Sequence, residues 1–205
     1  MPDILHISDD YVVSIKPIGV SSESDMPQLL SEAIGGDIFC VHRLDNAVGG
    51  VMVFARNRSA AAHLSKQIAE HCFLKQYLAV IEGTPSEPSG RYTDLLFKDS
   101  SKNKSYVVKR MREGVKEAIL DYNVLNSSNG LSLVCIKLLT GRTHQIRVQF
   151  SSRKTPLAGD RRYGSKIALA SPALWSHKLE FTDTASGDTV SFTAAPPDTY
   201  PWNEF

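Results

Sequence analysis

The sequence predicts an α+β fold built on a mixed, mainly antiparallel β-sheet with a few helices. Many short runs of β-branched and aromatic residues are bounded by turn residues, whereas only three segments have the spacing of an amphipathic helix. These elements do not alternate as strand and helix in the way that a parallel α/β fold requires. At 205 residues, 42% of them hydrophobic, the chain can bury one large core. We therefore expect a single domain over 1–205.

In the first half, the strand pattern recurs five times and the helix pattern twice. Pro27 suits a first helical turn, Ser24 or Asp25 can cap it, and the Gly35–Gly36 pair ends it. Leu64 stands one turn from Ile68 on a second helix, which Asn57 or Ser59 can cap. The predicted strands are 4–7, 11–15, 39–44, 50–55 and 74–81, and the predicted helices are 27–34 and 60–71.

The second half begins with a polar, broken stretch, 85–114, in which only 104–110 has the composition of a strand. A third helix is predicted over 145–152, because Ile146 and Phe150 stand one turn apart and Thr143 can cap the helix. The remaining predicted strands are 118–125, 131–139, 174–181 and 189–193.

The net charge is only +1, but the charges are unevenly distributed. Residues 1–37 contain seven acids and one base, 137–162 contain seven bases and one acid, and 98–112 contain six bases and one acid. A chain that is nearly neutral can present a basic face in this way. Solvated surface charge would explain either basic stretch taken alone.

The three cysteines are far apart and form no pair with metal-ligand or redox spacing. We expect reduced thiols. The first residues lack an apolar segment of signal-peptide length, and no run reaches membrane-spanning length. These features predict a cytoplasmic protein without a membrane or metal partner, and we expect a monomer.

The turn between predicted strands 39–44 and 50–55 presents one carboxylate, Asp45. His42 and Arg43 stand just before it, and the Gly49–Gly50 pair that follows allows a ligand to approach the backbone. An Asp in a turn more often hydrogen-bonds its own backbone. Other stretches of the chain must therefore decide whether Asp45 is functional.

A cationic stretch at 139–148 lies where a strand ends and the third predicted helix begins. Its polar residues, among them Arg142, His144, Gln145 and Arg147, fit no core position. Cations are disfavoured at the positive end of a helix unless an anion offsets them. A phosphate or a carboxylate such as Asp45 would be that anion.

Two further stretches have both a structural and a functional interpretation. Tyr77 shares a strand face with Lys75 and is by default a core tyrosine with a satisfied hydroxyl. The loop 156–164 contains Arg161 and Arg162, and it is either a solvated turn or a loop that receives a phosphate backbone.

Four motifs together resemble the RluA-type pseudouridine synthases. They are His42-Arg43-Leu44-Asp45 with the following Gly50 and Val-Met-Val-Phe-Ala run, Lys75-Gln76-Tyr77, the stretch 140–148, and the loop 156–164. They occur in the family's order and at its approximate spacings. The resemblance implies a mixed, mainly antiparallel sheet whose central cleft holds RNA, with no metal or organic cofactor.

The resemblance also implies roles for individual residues. Asp45 matches the essential aspartate, Tyr77 the tyrosine that stacks on the target base, and Arg147 the arginine that pairs with the aspartate. Arg43 matches an arginine that engages the substrate. The other residues expected to contact RNA are Arg142, His144, Gln145, Arg161 and Arg162.

The chain departs from the family pattern in three places. Val48–Gly49 replaces the usual Thr–Ser before Gly50, and Gln149–Phe150 replaces a frequent His–Leu. We also expect no separate N-terminal RNA-binding domain, because strands begin at Ile4. Target choice would then depend on the catalytic domain itself.

The predicted function is isomerisation of specific uridines to pseudouridine in structured RNA, either rRNA or tRNA. The nucleotide would be flipped out of its stack, and Asp45 would act as a nucleophile at the sugar carbon or as a base on the sugar. The alternative is a catalytically inactive RNA-binding module of the same fold. A glycoside or nucleoside hydrolase fits less well, because no second carboxylate stands in a comparable context.

Overall fold

The computed structural model describes residues 2–205, which form two compact units. The first unit comprises residues 2–76 and Trp175–Pro196, and the second comprises Tyr77–Leu174 and Pro197–Phe205. Three helices and a mostly antiparallel set of strands confirm the predicted α+β class.

The first unit contains six strands and two helices. The elements are β1 Asp3–Ile7, β2 Tyr11–Lys16, α1 Asp25–Ile34, β3 Phe39–Cys40, β4 Gly49–Ala55, α2 Arg58–Ala69, β10 Leu174–Thr182 and β11 Thr189–Thr193. Strands β2 and β4 are antiparallel neighbours, and β10 runs parallel to β4. Strand β1 pairs antiparallel with β2, β3 with β4, and β11 with β10.

Strand β4 forms the centre of this unit, since all seven of its residues are buried. Val51 and Val53 pack in one core cluster with Leu64 of α2 and with Phe73 and Phe181. The rings of Phe73 and Phe181 stack with centroids 5.2 Å apart. This packing holds the start of β4, and with it the glycine pair after Asp45, in a defined position.

The second unit contains the remaining strands and the third helix. The elements are β5 Leu74–Glu82, which lies mostly in this unit, β6 Ser89–Asp99, β7 Lys104–Val108, β8 Val115–Ser128, β9 Leu131–Leu138, α3 Gln145–Ser152 and the short 3₁₀ turns Arg161–Tyr163 and Trp202–Glu204. The strands are hydrogen-bonded in the order β5–β9–β8–β6–β7. Strand β8 pairs antiparallel with β6 and β9, and β6 pairs antiparallel with β7.

Helix α3 packs on β6 and β8. Val148 lies in a core cluster with Leu96 and Ala118. The ring of Phe150 meets those of Tyr92 and Tyr122 edge-on at 5.3 and 5.9 Å. This aromatic contact anchors the helix that carries Arg147.

Several sequence predictions are confirmed at the level of single residues. The bounds predicted for α3 and β11 agree with the structure, and Asn57 caps α2 by accepting the N–H of Ala60 at 2.8 Å. Gly35 ends α1 with a φ of 75°. No side-chain cap forms at Ser24, whereas the Asp25 carboxylate accepts the N–H of Ser21.

Three predictions about secondary structure were wrong. The stretch taken as broken contains the eleven-residue strand β6, whose apolar residues do not alternate and whose stability depends on pairing with β8. The strand predicted at 39–44 ends at Cys40. The N–H and C=O of Leu44 are hydrogen-bonded to the Ser22 hydroxyl and not to a neighbouring strand. Thr143 does not cap α3, since the N-cap residue is His144 and forms no side-chain cap.

Candidate active site

Asp45 lies in a turn whose preceding residue is clamped by a buried serine. The Ser22 hydroxyl donates to the carbonyl of Leu44 at 2.9 Å and accepts the N–H of Leu44 at 3.1 Å. The N–H of Val48 closes the turn on the carbonyl of Asp45 at 2.9 Å. Because Ser22 is only 3% exposed, both hydrogen bonds are shielded from competing water. The backbone before Asp45 is therefore fixed.

A buried lysine holds the residue that follows Asp45. Lys16 is fully buried, and its Nζ donates to the carbonyls of Pro17 at 2.9 Å, Val20 at 2.7 Å and Asn46 at 3.4 Å. Burial lowers the pKa of Lys16 to about 8, and the attraction of the Asp45 carboxylate opposes that decrease. An ammonium group thus lies within electrostatic range of Asp45.

The Val48–Gly49 departure has a packing explanation. Val48 is 2% exposed and belongs to the core. A Cβ on Gly49 would lie 2.5 Å from Cζ3 of Trp175, which pairs with Gly49 across the parallel β4–β10 ladder. The space that a larger residue would fill is thus occupied by an indole ring. Ser22 and Lys16 supply side-chain hydrogen bonds to the backbone on either side of Asp45.

Gly50 has a φ of 121°, and a Cβ there would collide with the backbone of Ser176. Any other residue would be both strained and overlapping at this position.

His42 is a neutral, buried side chain that joins the Asp45 segment to β4. Its Nε2 accepts the N–H of Val53 at 3.2 Å, so the ring hydrogen is on Nδ1. Burial, with a smaller contribution from Lys75, lowers its pKa to about 3. Among residues 2–205 no group accepts the buried Nδ1–H. The next residue, Arg43, is exposed and forms an ion pair with Glu23 at 3.1 Å.

In the second unit, Arg147 forms a buried ion pair with Asp160. The Nε of Arg147 donates to Oδ2 at 2.6 Å and its Nη2 donates to Oδ1 at 2.9 Å. The side chains are 8% and 1% exposed. Sequence reasoning recognised that the cations of this stretch need an anion but did not single out Asp160. The available signal was that Asp160 is the only acid in the basic stretch 137–162.

The loop that contains Asp160 is rigidly packed. Gly159 has a φ of 80°, and a Cβ there would lie 2.6 Å from Cβ of Leu169. Its N–H donates to the Ser165 hydroxyl, which in turn donates to the Glu82 carboxylate in a short hydrogen bond. Arg161 and Arg162, predicted to contact phosphate, are exposed, and Arg162 donates to the carbonyl of Asn103 at 2.6 Å.

The polar residues at the start of α3 are buried, contrary to the expectation that they fit no core position. His144 adopts a left-handed φ of 53°, and its Nδ1 lies 3.0 Å from the Tyr163 hydroxyl. Gln145 is 3% exposed, and its Oε1 accepts the Thr140 hydroxyl and the N–H of Arg142. Each of these two side chains is hydrogen-bonded within the second unit, so the segment forms a polar core.

The two units divide the predicted site residues between them. Asp45 and Arg43 belong to the first unit, and all the others belong to the second. Tyr77 is 6% exposed on β5. Asp45 is half-buried, and Arg142 is exposed. The pairing of Asp45 with Arg147 and the stacking role of Tyr77 stay predictions.

No group of three or more metal-ligating side chains is present among residues 2–205. Within the same range no helix is long and apolar enough to cross a membrane.

The geometry can be compared with known proteins. A family model described as RNA pseudouridylate synthase matches residues 10–152, a span that includes Asp45, Tyr77 and Arg147. An uncharacterized RNA pseudouridine synthase of Mycoplasma pneumoniae is 33% identical over 97% of this chain and 68% of its own length. The ribosomal large subunit pseudouridine synthase D of Zymomonas mobilis is 32% identical over 77% of this chain and 52% of its own length.

Solved structures share the fold. The human RNA pseudouridylate synthase domain containing 1 has a TM-score of 0.84 and 24% identity, and covers 97% of this chain with 85% of its own. The human RNA pseudouridylate synthase domain containing 4 has a TM-score of 0.81 and 22% identity, and the match covers 95% of this chain and 88% of that chain.

The chain therefore belongs to the RNA pseudouridylate synthase family, and the predicted RluA-type resemblance is confirmed. Members of this family are isomerases that act on RNA. The chain spans about half the length of several curated relatives, 52% and 54% for those of Bacillus subtilis and Aquifex aeolicus.

Proposed function

We propose that this protein isomerises uridine to pseudouridine within structured RNA and that Asp45 is the catalytic carboxylate. The observation that supports this most is the construction of the Asp45 turn, which is held from both sides by the buried groups of Ser22 and Lys16. A turn that only reverses the chain direction needs no buried ammonium. Burying a charge is expensive unless it is well paired.

In the proposed reaction the bond between uracil N1 and the ribose breaks, the ring turns, and C5 bonds to the same sugar carbon. C5 loses a proton and N1 gains one, so the composition of the RNA does not change. The target nucleotide must first leave its stack, which costs a few kcal/mol. Phosphate contacts on either side would supply part of that free energy.

Asp45 has to be ionised in this reaction, either as a nucleophile at the sugar carbon or as a base on the sugar. The Lys16 ammonium and the Asp45 carboxylate attract each other. In this proposal Arg147 pairs with Asp45 and orients it. Tyr77 offers the flipped base a π-face, and such stacking contributes about 1–3 kcal/mol per base.

Four exposed arginines are the best candidates for RNA contacts: Arg43, Arg142, Arg161 and Arg162. His144 and Gln145, which were also predicted to bind RNA, would act by holding the polar frame around Arg147. The basic stretch 98–112 adds further cations. Because two relatives are named ribosomal large subunit pseudouridine synthases, large-subunit rRNA is the first RNA to test, with tRNA as the alternative.

The decisive experiment replaces Asp45 by Asn and measures tritium release from C5-labelled uridine in bulk RNA. We expect Asp45→Asn to fold and bind RNA but to release no tritium above background. Asp37→Asn, which changes an exposed acid in the same unit, is the matched control and should keep near-wild-type activity. Substantial pseudouridine formation by Asp45→Asn would refute the proposal.

The same assay tests the alternatives. RNA binding without tritium release by the wild-type protein would support an inactive RNA-binding module. Release of free uracil, seen by chromatography, would indicate a hydrolase.

Neutralising Arg161 and Arg162 together tests the proposed phosphate contacts. If each contacts one phosphate, the slope of log affinity against log salt should fall in magnitude by about 2. Lys66→Ala, on an exposed helix face, is the control and should leave the slope unchanged. An unaltered slope in the double variant would contradict the assignment.

A further inference from the structure

We propose that Asp160 is the positioning residue for Arg147, so that the reaction depends on a buried carboxylate that does not touch the RNA. This inference rests on the proposed function, in which Arg147 serves Asp45. Asp160 would act through the guanidinium alone.

The geometry of the ion pair supports this role. Asp160 uses both carboxylate oxygens and receives the Nε–H and one Nη2–H of Arg147, at 2.6 and 2.9 Å. Two parallel hydrogen bonds define the plane of a guanidinium, whereas a single bond would let it rotate. Arginine has five N–H donors, so one edge can be held while the group serves a second carboxylate.

Asp160 is itself immobilised. Its N–H donates to the carbonyl of Leu157 at 3.0 Å, and its own carbonyl accepts the N–H groups of Tyr163 at 2.9 Å and Ser165 at 3.1 Å. The side chain is 1% exposed. The ring of Tyr163 also lies 5.2 Å from the guanidinium. Asp160 is therefore a rigid support and not a surface counter-ion.

A rigid support of this kind determines position more than charge. Because the carboxylate offsets the charge of Arg147, the ion pair carries no net charge. What Asp160 adds is orientation, and a displacement of about 1 Å at a reacting group can lower a rate about 100-fold.

The test compares Asp160→Asn and Asp160→Glu with Arg147→Lys. Asp160→Glu retains the charge but displaces it by one methylene, and it keeps the test informative if Asp160→Asn does not fold. We expect kcat to fall about 100-fold in each Asp160 variant, with KM for RNA changed less than about 3-fold.

The Asp160→Asn/Arg147→Lys double variant tests whether Asp160 acts through Arg147. Its kcat should be no lower than that of Arg147→Lys alone, because residues that act as a unit are not additive. Additive losses, or an unchanged kcat in folded Asp160 variants, would overturn the proposal.

Asp94→Asn is the matched control. It breaks the ion pair of Asp94 with Arg153 at the other end of α3, where the N–O distance is 2.8 Å. It should reduce the thermal midpoint and leave kcat unchanged, and an equal loss of kcat would show that any damage to this helix has the same effect.

If Asp45→Asn is inactive while the Asp160 variants are fully active, this inference fails and the proposed function stands. If Asp45→Asn is active, the proposed function itself is refuted, whatever the Asp160 variants show.

Discussion

Replacing Gly49 by Ala should destabilise the protein, because Trp175 occupies the space that a Cβ needs. The added carbon would lie 2.5 Å from Cζ3 of Trp175 and 3.1 Å from the carbonyl oxygen of Lys16. The ring cannot move easily, since it is 8% exposed and its Nε1 donates to the carbonyl of Ala194 at 3.1 Å. Overpacking costs about 1–3 kcal/mol. Displacing the ring would also weaken its hydrogen bond to Ala194, which costs about 1 kcal/mol more. We expect a loss of about 2–4 kcal/mol.

Urea unfolding measures this loss, and a double-mutant cycle with Trp175→Phe identifies its cause. If the indole is the obstacle, the smaller ring should relieve the strain, and the coupling free energy should exceed about 1 kcal/mol. Gly141→Ala is the control, since a Cβ on Gly141 would meet nothing within 4 Å. Additive effects at Gly49 and Trp175, or a stable Gly49→Ala variant, would refute the reasoning.

Two further variants test other contacts in the first unit. Ser22→Ala strands the buried N–H and C=O of Leu44 and should cost about 2–4 kcal/mol in urea unfolding, whereas exposed Ser24→Ala should be within about 0.5 kcal/mol of wild type. The Tyr11 hydroxyl, which donates at 2.6 Å, lowers the pKa of Asp183 to about 2. Stability from this pair is present above about pH 4 and is lost as pH falls through 2; it should be about 1 kcal/mol after screening by solvent. Tyr11→Phe should remove this contribution, so the difference in unfolding free energy between wild type and Tyr11→Phe should shrink as the pH falls from about 4 to 2. A difference that does not change with pH would show that the Tyr11–Asp183 pair is not its source.

Local sequence patterns were sufficient for elements whose apolar pattern and capping residues lie within the element itself. Runs of β-branched and aromatic residues between turn residues predicted most strands, and the i, i+4 spacing of Ile146 and Phe150 predicted α3 with its observed bounds. The Asn57 cap and the Gly35 stop depend only on neighbouring backbone groups and were predicted for the same reason.

Strand β6 lacks this kind of local signal. Most of its pairing is with β8, about twenty-five residues further along the chain, and many of its side chains are polar or exposed. Neither its length nor its position could be read from its own residues, because ladder hydrogen bonds are made by the backbone of whichever strand lies beside it.

The candidate site was also predicted only in part from the sequence. Asp45, Tyr77 and Arg147 were proposed as site residues from the sequence because their motifs occur together in order, and the need for an anion near Arg147 followed from charge alone. Only the tertiary structure decided that Asp160 supplies such an anion. Charge and periodicity describe what a segment requires. Which distant group satisfies that requirement depends on packing, since buried polar atoms pair with the partners that the fold brings within about 3 Å.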